Sequence, residues 1–257
     1  MSDEMDVLRR DFLPEDLWRE QSPLDFDGSI AVQARQSTQE TNWLLGLANL
    51  EPRIKGVVGW VDLCSRDIEV QLMQIANHPK LVGVRHVVHD EPDDNFMLRG
   101  NFLSGISKLQ QHSLAYDLLL FEKHLPVAIE VVEQFPEQVF VVDHISKPLI
   151  KDKVTSPWDE NLRTLAAFPN VSCKLSGMVT EADWASWKPE DLTPYLDTVL
   201  EAFGPNRLMI GSDWPVCTVA GDYSSVMQAT IDYINMLSKH EKAAILGETC
   251  ISIYGLS

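Results

Sequence analysis

Cysteine is scarce in this chain, and its four residues stand apart: Cys64, Cys173, Cys217 and Cys250 form no CxxC pair. That spacing argues against a zinc ribbon or a disulfide-stapled secreted domain and predicts reduced core thiols. Basic residues are short as well, 21 Lys and Arg against 38 Asp and Glu, for a formal charge of −17. No compact Lys/Arg cluster interrupts the acidic excess, which argues against a nucleic-acid partner, since that needs a basic footprint. No apolar run approaches the roughly 20 residues that span a bilayer, and the opening residues show no charged-then-apolar leader. A cytoplasmic protein without a membrane partner is expected. No Pro/Gly/Ser linker or low-complexity tract divides the 257 residues, 45% of which are hydrophobic. One domain over 1–257 is expected, because an α/β barrel often takes this length as a single unit.

What the chain does have is alternation. Short β-branched runs at 28–33, 56–63, 81–88, 114–120, 139–145, 170–177 and 207–213 are strand candidates. Between them lie "TQETNWLLGLANL", "DIEVQLMQIANH", "LPVAIEVVEQF", "NLRTLAAF" and "LTPYLDTVLEAF", whose i, i+3, i+4 apolar spacing predicts helices. The strands are apolar on nearly every residue, so both faces are covered and the sheet is expected to be parallel.

Charge collects at the strands' C-terminal ends: Asp62, Arg85 with His86, Asp117, Asp143 with His144, Lys174, and Asp213. In a (β/α)₈ barrel those ends form one rim, and the rim holds the active site. Each residue alone has a plainer reading, a hydrogen-bonded core histidine or an aspartate capping a turn. Six strands of seven behaving alike favours the rim. Strand alternation lets only one of Arg85 and His86 face the interior, and Arg85, with its planar fork, takes first place. His78, His112, His124 and His240 are assigned to surfaces or caps. The run "LMIGSDWPV" ends a core strand on Asp213, a carboxylate that needs a partner or a task there. An aspartate so placed is able to take a proton from an attacking water, while His144, Arg85 and Lys174 are the nearest groups to steady an oxyanion. Trp214 either stacks on a ring-shaped substrate or packs under its loop, and packing is the commoner fate. "TEADW" (180–184) reads as a loop over the site or as a helix cap.

Seven segments, "LRRDFLPEDL", "GVVGWVDL", "HPKLVGVRHVV", "FVVDHISKP", "CKLSGMVTEADW", "FGPNRLMIGSDWPVC" and "IYGL", run in one order across the chain. In that order the chain resembles the amidohydrolase-related proteins of the lactone-hydrolase branch, the sugar-lactone hydrolases and pyrone-dicarboxylate lactonases. The resemblance implies a (β/α)₈ TIM-type barrel of the metal-dependent-hydrolase kind. It implies hydrolysis of a lactone, first of all a sugar-derived aldonolactone from carbohydrate catabolism, with water activated by Asp213. From their places on the rim, His144 is expected to be its catalytic companion, and Arg85, Lys174, Asp117, His86 and Trp214 the substrate-binding set.

The chain departs from that family at its start. Relatives begin with a strand carrying His-x-His, whereas "MSDEMDVLRRDFLPEDL" matches the connection after it. A barrel lacking its first strand is therefore expected, with Met1 matching an internal position. Zinc takes three or four protein ligands, and His144 with Asp213 is too few. No tightly held metal or other cofactor is expected, zinc being reserved for a longer form with the upstream pair. A degenerate, non-catalytic barrel binding a sugar acid or a partner protein is the alternative reading.

Overall fold

Seven short strands of β-branched and aliphatic residues lie side by side in chain order in the computed structural model, which describes residues 3–256. They are β1 (Ser29–Val32), β2 (Ile54–Gly59), β3 (Leu81–Val87), β4 (Ala115–Leu119), β5 (Phe140–Val142), β6 (Val171–Leu175) and β7 (Leu208–Ile210), and every neighbouring pair is parallel. Parallel neighbours require crossovers, and helices supply them. These are α1 (Pro14–Gln21), α2 (Thr38–Leu50), α3 (Ile68–Ile75), α4 (Gly100–Leu109), α5 (Leu125–Gln134), α6 (Trp158–Ala166), α7 (Pro189–Phe203), α8 (Tyr223–Ile234), α9 (Lys239–Ala243) and α10 (Thr249–Tyr254). The architecture is thus the expected TIM-barrel type, with seven strands among the described residues. Met1, read as an internal match, lies outside them. No helix among the described residues is long and apolar enough to cross a membrane.

Period-two alternation sorts the strand side chains into two cores. Val57, Leu81, Tyr116, Phe140, Val142 and Leu208 join the larger cluster between sheet and helices. α5 shows the matching pattern, burying Leu125, Ala128, Val131 and Val132 along one stripe. The alternate residues Val58, Val82, Ala115, Val141 and Met209 make a second, inner cluster, which Tyr254 of α10 joins together with Cys250, Ile253 and Leu256. The chain's C-terminal helix therefore packs on the concave face. Two residues beyond Ala115 and Val141 on that face stand Asp117 and Asp143, where the apolar floor gives way to charge.

Candidate active site

A buried carboxylate is tolerable only when paired, and here two carboxylates meet two cations. Arg85 Nη1 donates to Asp143 Oδ2 at 2.7 Å, Lys174 Nζ pairs with Asp143 Oδ1 at 2.6 Å, and the same ammonium donates to Asp117 Oδ2 at 2.5 Å. The Tyr254 hydroxyl lies 2.9 Å from both Asp117 oxygens. Arg85 Nη2 donates to the backbone carbonyl of Gln33, the fully buried residue that follows β1. Asp117 and Asp143 are 0% exposed. Burial pushes the Asp117 carboxyl up to about 6, with Lys174 pulling against it. Burial also opposes ionisation of Asp143, but Lys174 and Arg85 outweigh it and hold that carboxyl well below the usual range. Lys174 stays charged: burial lowers its pKa, and the two aspartates more than restore it. The outcome is an internally neutral layer across the inner face. Arg85, Lys174 and Asp117, expected to reach for substrate, are turned toward one another and Asp143.

Above this layer β5 ends, and the chain turns sharply. His144, Ile145, Ser146 and Lys147 all have left-handed backbone, with φ of 52°, 48°, 59° and 47°. Asp213, after β7, is left-handed too, with φ 55°. Such conformations cost a residue bearing a Cβ roughly 1 kcal/mol or more each. They bring His144 Nε2 to 3.6 Å from Asp213 Oδ1, with side chains 10% and 14% exposed. The other ring nitrogen, Nδ1, lies 2.8 Å from Ser176 Oγ. Gly177 makes room for the ring: its φ is +62°, and a Cβ there would sit 2.6 Å from His144 Cγ and Nδ1. Burial depresses the His144 pKa against the pull of Asp213 and Asp143, so the imidazole is neutral near pH 7. A neutral imidazole beside a carboxylate, with a polar neutral floor below, is able to move a proton and steady a developing negative charge.

Trp214 packs rather than projecting freely. Its ring meets Phe12 edge-on at 5.2 Å between centroids, its amide donates to Ser212 Oγ at 3.1 Å, and its bond to Pro215 is cis. The expected place of His86 is corrected. The ring stacks on Phe96 at 4.8 Å, contacts Glu91 through Nε2 at 2.7 Å and accepts from Trp60 Nε1 at 3.3 Å, all on the helix side of β3. Alternation after Arg85 forces this outcome. Asp62 turns back on its own loop, accepting from the Cys64 amide at 3.0 Å. His124 is a cap, accepting from the Phe121 amide at 3.1 Å, but a buried one rather than a surface residue. In "TEADW" no helix begins; Thr180 Oγ1 donates to the Gly177 carbonyl at 2.8 Å, and Glu181 pairs with Lys147. Sequence reading missed Gln33, Ser176, Gly177 and Tyr254. The small Ser-Gly pair closing β6 was a signal for a close approach; nothing local marked Gln33 or Tyr254.

The family model for amidohydrolases matches residues 1–256. An L-fucono-1,5-lactonase of Burkholderia multivorans is 40% identical over 98% of this chain and 88% of its own length. An L-fucono-1,5-lactonase of Burkholderia ambifaria is 35% identical over 85% of this chain and 75% of its own. A crystal structure of an amidohydrolase from Burkholderia multivorans with bound zinc superposes with a TM-score of 0.95 at 40% identity, covering 100% of this chain and 93% of that one. The expectation of a metal-free chain is overturned by that zinc-bound relative. Among the described residues, no three His, Cys, Asp or Glu side chains converge, and His144 with Asp213 supplies two donors. A zinc centre takes three or four protein ligands, so the described residues do not by themselves fit one.

Proposed function

The chain belongs to the amidohydrolase family, and we propose that it is a hydrolase opening a lactone, a cyclic ester, with a sugar-derived aldonolactone as substrate. The observation carrying this reading is the pairing of His144 with Asp213 at the end of an internally neutral layer. Asp213 takes a proton from water as the water oxygen bonds to the lactone carbonyl carbon. His144 Nδ1 lies 2.8 Å from Ser176 Oγ; in the tautomer whose Nδ1 accepts from that hydroxyl, the Nε2 hydrogen bonds the oxyanion. When the ring C–O bond breaks, the proton held on Asp213 passes to the departing alkoxide. The product is the open hydroxy acid, and Asp213 is a carboxylate again.

Charge accounting favours a neutral substrate. The three partly buried cations at this end, Arg85, Lys174 and Lys147, are each paired with a carboxylate of the chain. A carboxylated pyrone lactone calls for a free guanidinium fork, while a sugar lactone asks only for hydrogen bonds. Arg85, Lys174 and Asp117 then act from below, holding Asp143 and through it the start of the His144 turn. Trp214 with Phe12 walls the Asp213 side. The whole chain, 1–257, functions as one domain in carbohydrate catabolism. A panel of aldonolactones and a carboxylated pyrone lactone, followed with a pH indicator, tests the reading. Turnover of at least one aldonolactone, faster than of the pyrone, is expected; hydrolysis of none would overturn it.

A further inference from the structure

The left-handed run His144–Lys147 contains no glycine, and a run of four such residues persists only where its surroundings over-determine it. Its ends are anchored in plain ways. The Lys147 amide donates to the His144 carbonyl at 2.8 Å, His144 Nδ1 meets Ser176 Oγ, and the Lys147 ammonium pairs with Glu181. The middle has a different anchor. Trp158, the first residue of α6, donates its indole N–H to the Ile145 carbonyl at 2.8 Å. Trp158 is 1% exposed and Ile145 0%, so no solvent stands ready to replace that bond. The indole is itself held, packing on Tyr195 at 5.4 Å, whose hydroxyl donates to the carbonyls of Leu149 and Val154 just downstream. It lies in the outer core, while His144 turns toward Asp213.

We infer that Trp158 is a positioning residue for lactone hydrolysis: its N–H, bonded to the Ile145 carbonyl, locks the left-handed turn that aims His144 at Asp213. The inference rests on the lactonase reading for its kinetic consequence and on geometry alone for the lock. Nothing in the sequence marked Trp158, because it stands 13 residues beyond the carbonyl it holds, across a loop.

Two replacements test it. β-(3-Benzothienyl)alanine at 158 keeps the bicyclic shape and removes only the N–H; Trp158→Phe is the simpler companion. With an aldonolactone that the unaltered protein turns over, kcat is expected to fall about tenfold or more while KM stays within about twofold, as for a misaimed catalytic group. The ¹⁵N NMR titration of the His144 ring is the second readout. The groups facing that ring are Asp213 after β7, Asp143 and Lys147 on its own turn, Arg85 and His89 from the β3 side, and Ser176 after β6. Loosening the turn should raise the His144 pKa toward its ordinary value as the ring gains water. Ser146→Gly, added to either replacement, should restore at least half of the lost kcat. Glycine enters the left-handed region without strain, and the buried Ser146 Oγ has no partner to lose. A benzothienyl variant with unchanged kcat and unchanged His144 titration overturns the inference, as does a loss that Ser146→Gly leaves untouched. Should the unaltered protein hydrolyse no lactone, the functional reading fails, and the His144 titration alone still decides the lock. If Trp158→Phe does not fold, the isosteric replacement carries the test.

Discussion

His144 Nε2 stands 3.6 Å from Asp213 Oδ1, and each residue reaches that place through left-handed backbone at the end of a different strand. The separation is longer than a good hydrogen bond, which leaves both groups able to engage a water and a carbonyl between them. Strain at both positions indicates geometry held by the surrounding fold.

Asp213→Asn keeps the size of the side chain and removes its basicity. Hydrolysis of the cognate aldonolactone should fall by about 10²-fold or more, the scale of a lost general base. Circular dichroism and the melting temperature should stay close to those of the unaltered chain. Near-normal turnover by this variant would remove Asp213 from the chemistry.

Gly177→Ala tests the room made for the imidazole. The added methyl would lie 2.6 Å from the His144 ring at a φ of +62°, so the ring must move. Activity should drop by about tenfold or more through misplacement, with a loss of stability also expected from a non-glycine residue at positive φ. Steady-state kinetics beside a urea unfolding curve separates the two effects, and unchanged kinetics would show that the ring position does not matter.

The ionic layer predicts unequal costs for two substitutions. Lys174→Met leaves Asp117 without its cation and Asp143 with only Arg85, which should cost roughly 3–5 kcal/mol, the scale for breaking a buried ion pair. Tyr254→Phe removes one hydroxyl from Asp117, at about 1.5–3 kcal/mol, the scale of a hydrogen bond to a charged group. Urea midpoints for both variants check the order, and a smaller loss from Lys174→Met would contradict the layer.

Acid should destabilise the fold before its ordinary carboxylates titrate. Burial lowers the pKa of His86 and His144 from 6.5, and that of His89 to about 4. Their unfolded forms take up protons first, so the stability they contribute is complete above about 6.5 and is lost as pH falls through their folded values. Asp117, raised by burial to about 6, works the other way between about 6 and 3.8. Three groups against one should leave a net fall. Melting temperatures from pH 7.5 to 4.5 should decline, and less steeply in His89→Leu; a flat profile would show that these histidines are not held neutral.

Much of the frame was legible before any coordinates. Each strand candidate overlaps an observed strand, and "TQETNWLLGLANL" coincides with α2, because apolar period and breaker residues act over a few positions. The helices α1, α4, α8, α9 and α10 went unread; α1 and α9 are short and largely polar, whereas α4 does carry an apolar stripe through Phe102, Gly105, Ile106 and Leu109. Asp213 and His144 were legible as rim residues from their places at strand ends, and alternation correctly separated Arg85 from His86.

The sequence by itself determined an all-parallel α/β chain, its family motifs and the face on which each strand residue lies, since these follow from local period and residue type. Only the tertiary structure decided what each polar group meets. The hydroxyl of Tyr254 reaches a carboxylate 137 residues away, and Arg85 and Lys174 are drawn from the rim into pairs 58 and 57 residues distant. Those partners depend on how far the sheet curls and on where the C-terminal helix lands. A buried charge takes whichever opposite charge the closed fold places within about 3 Å, and no local pattern encodes that choice.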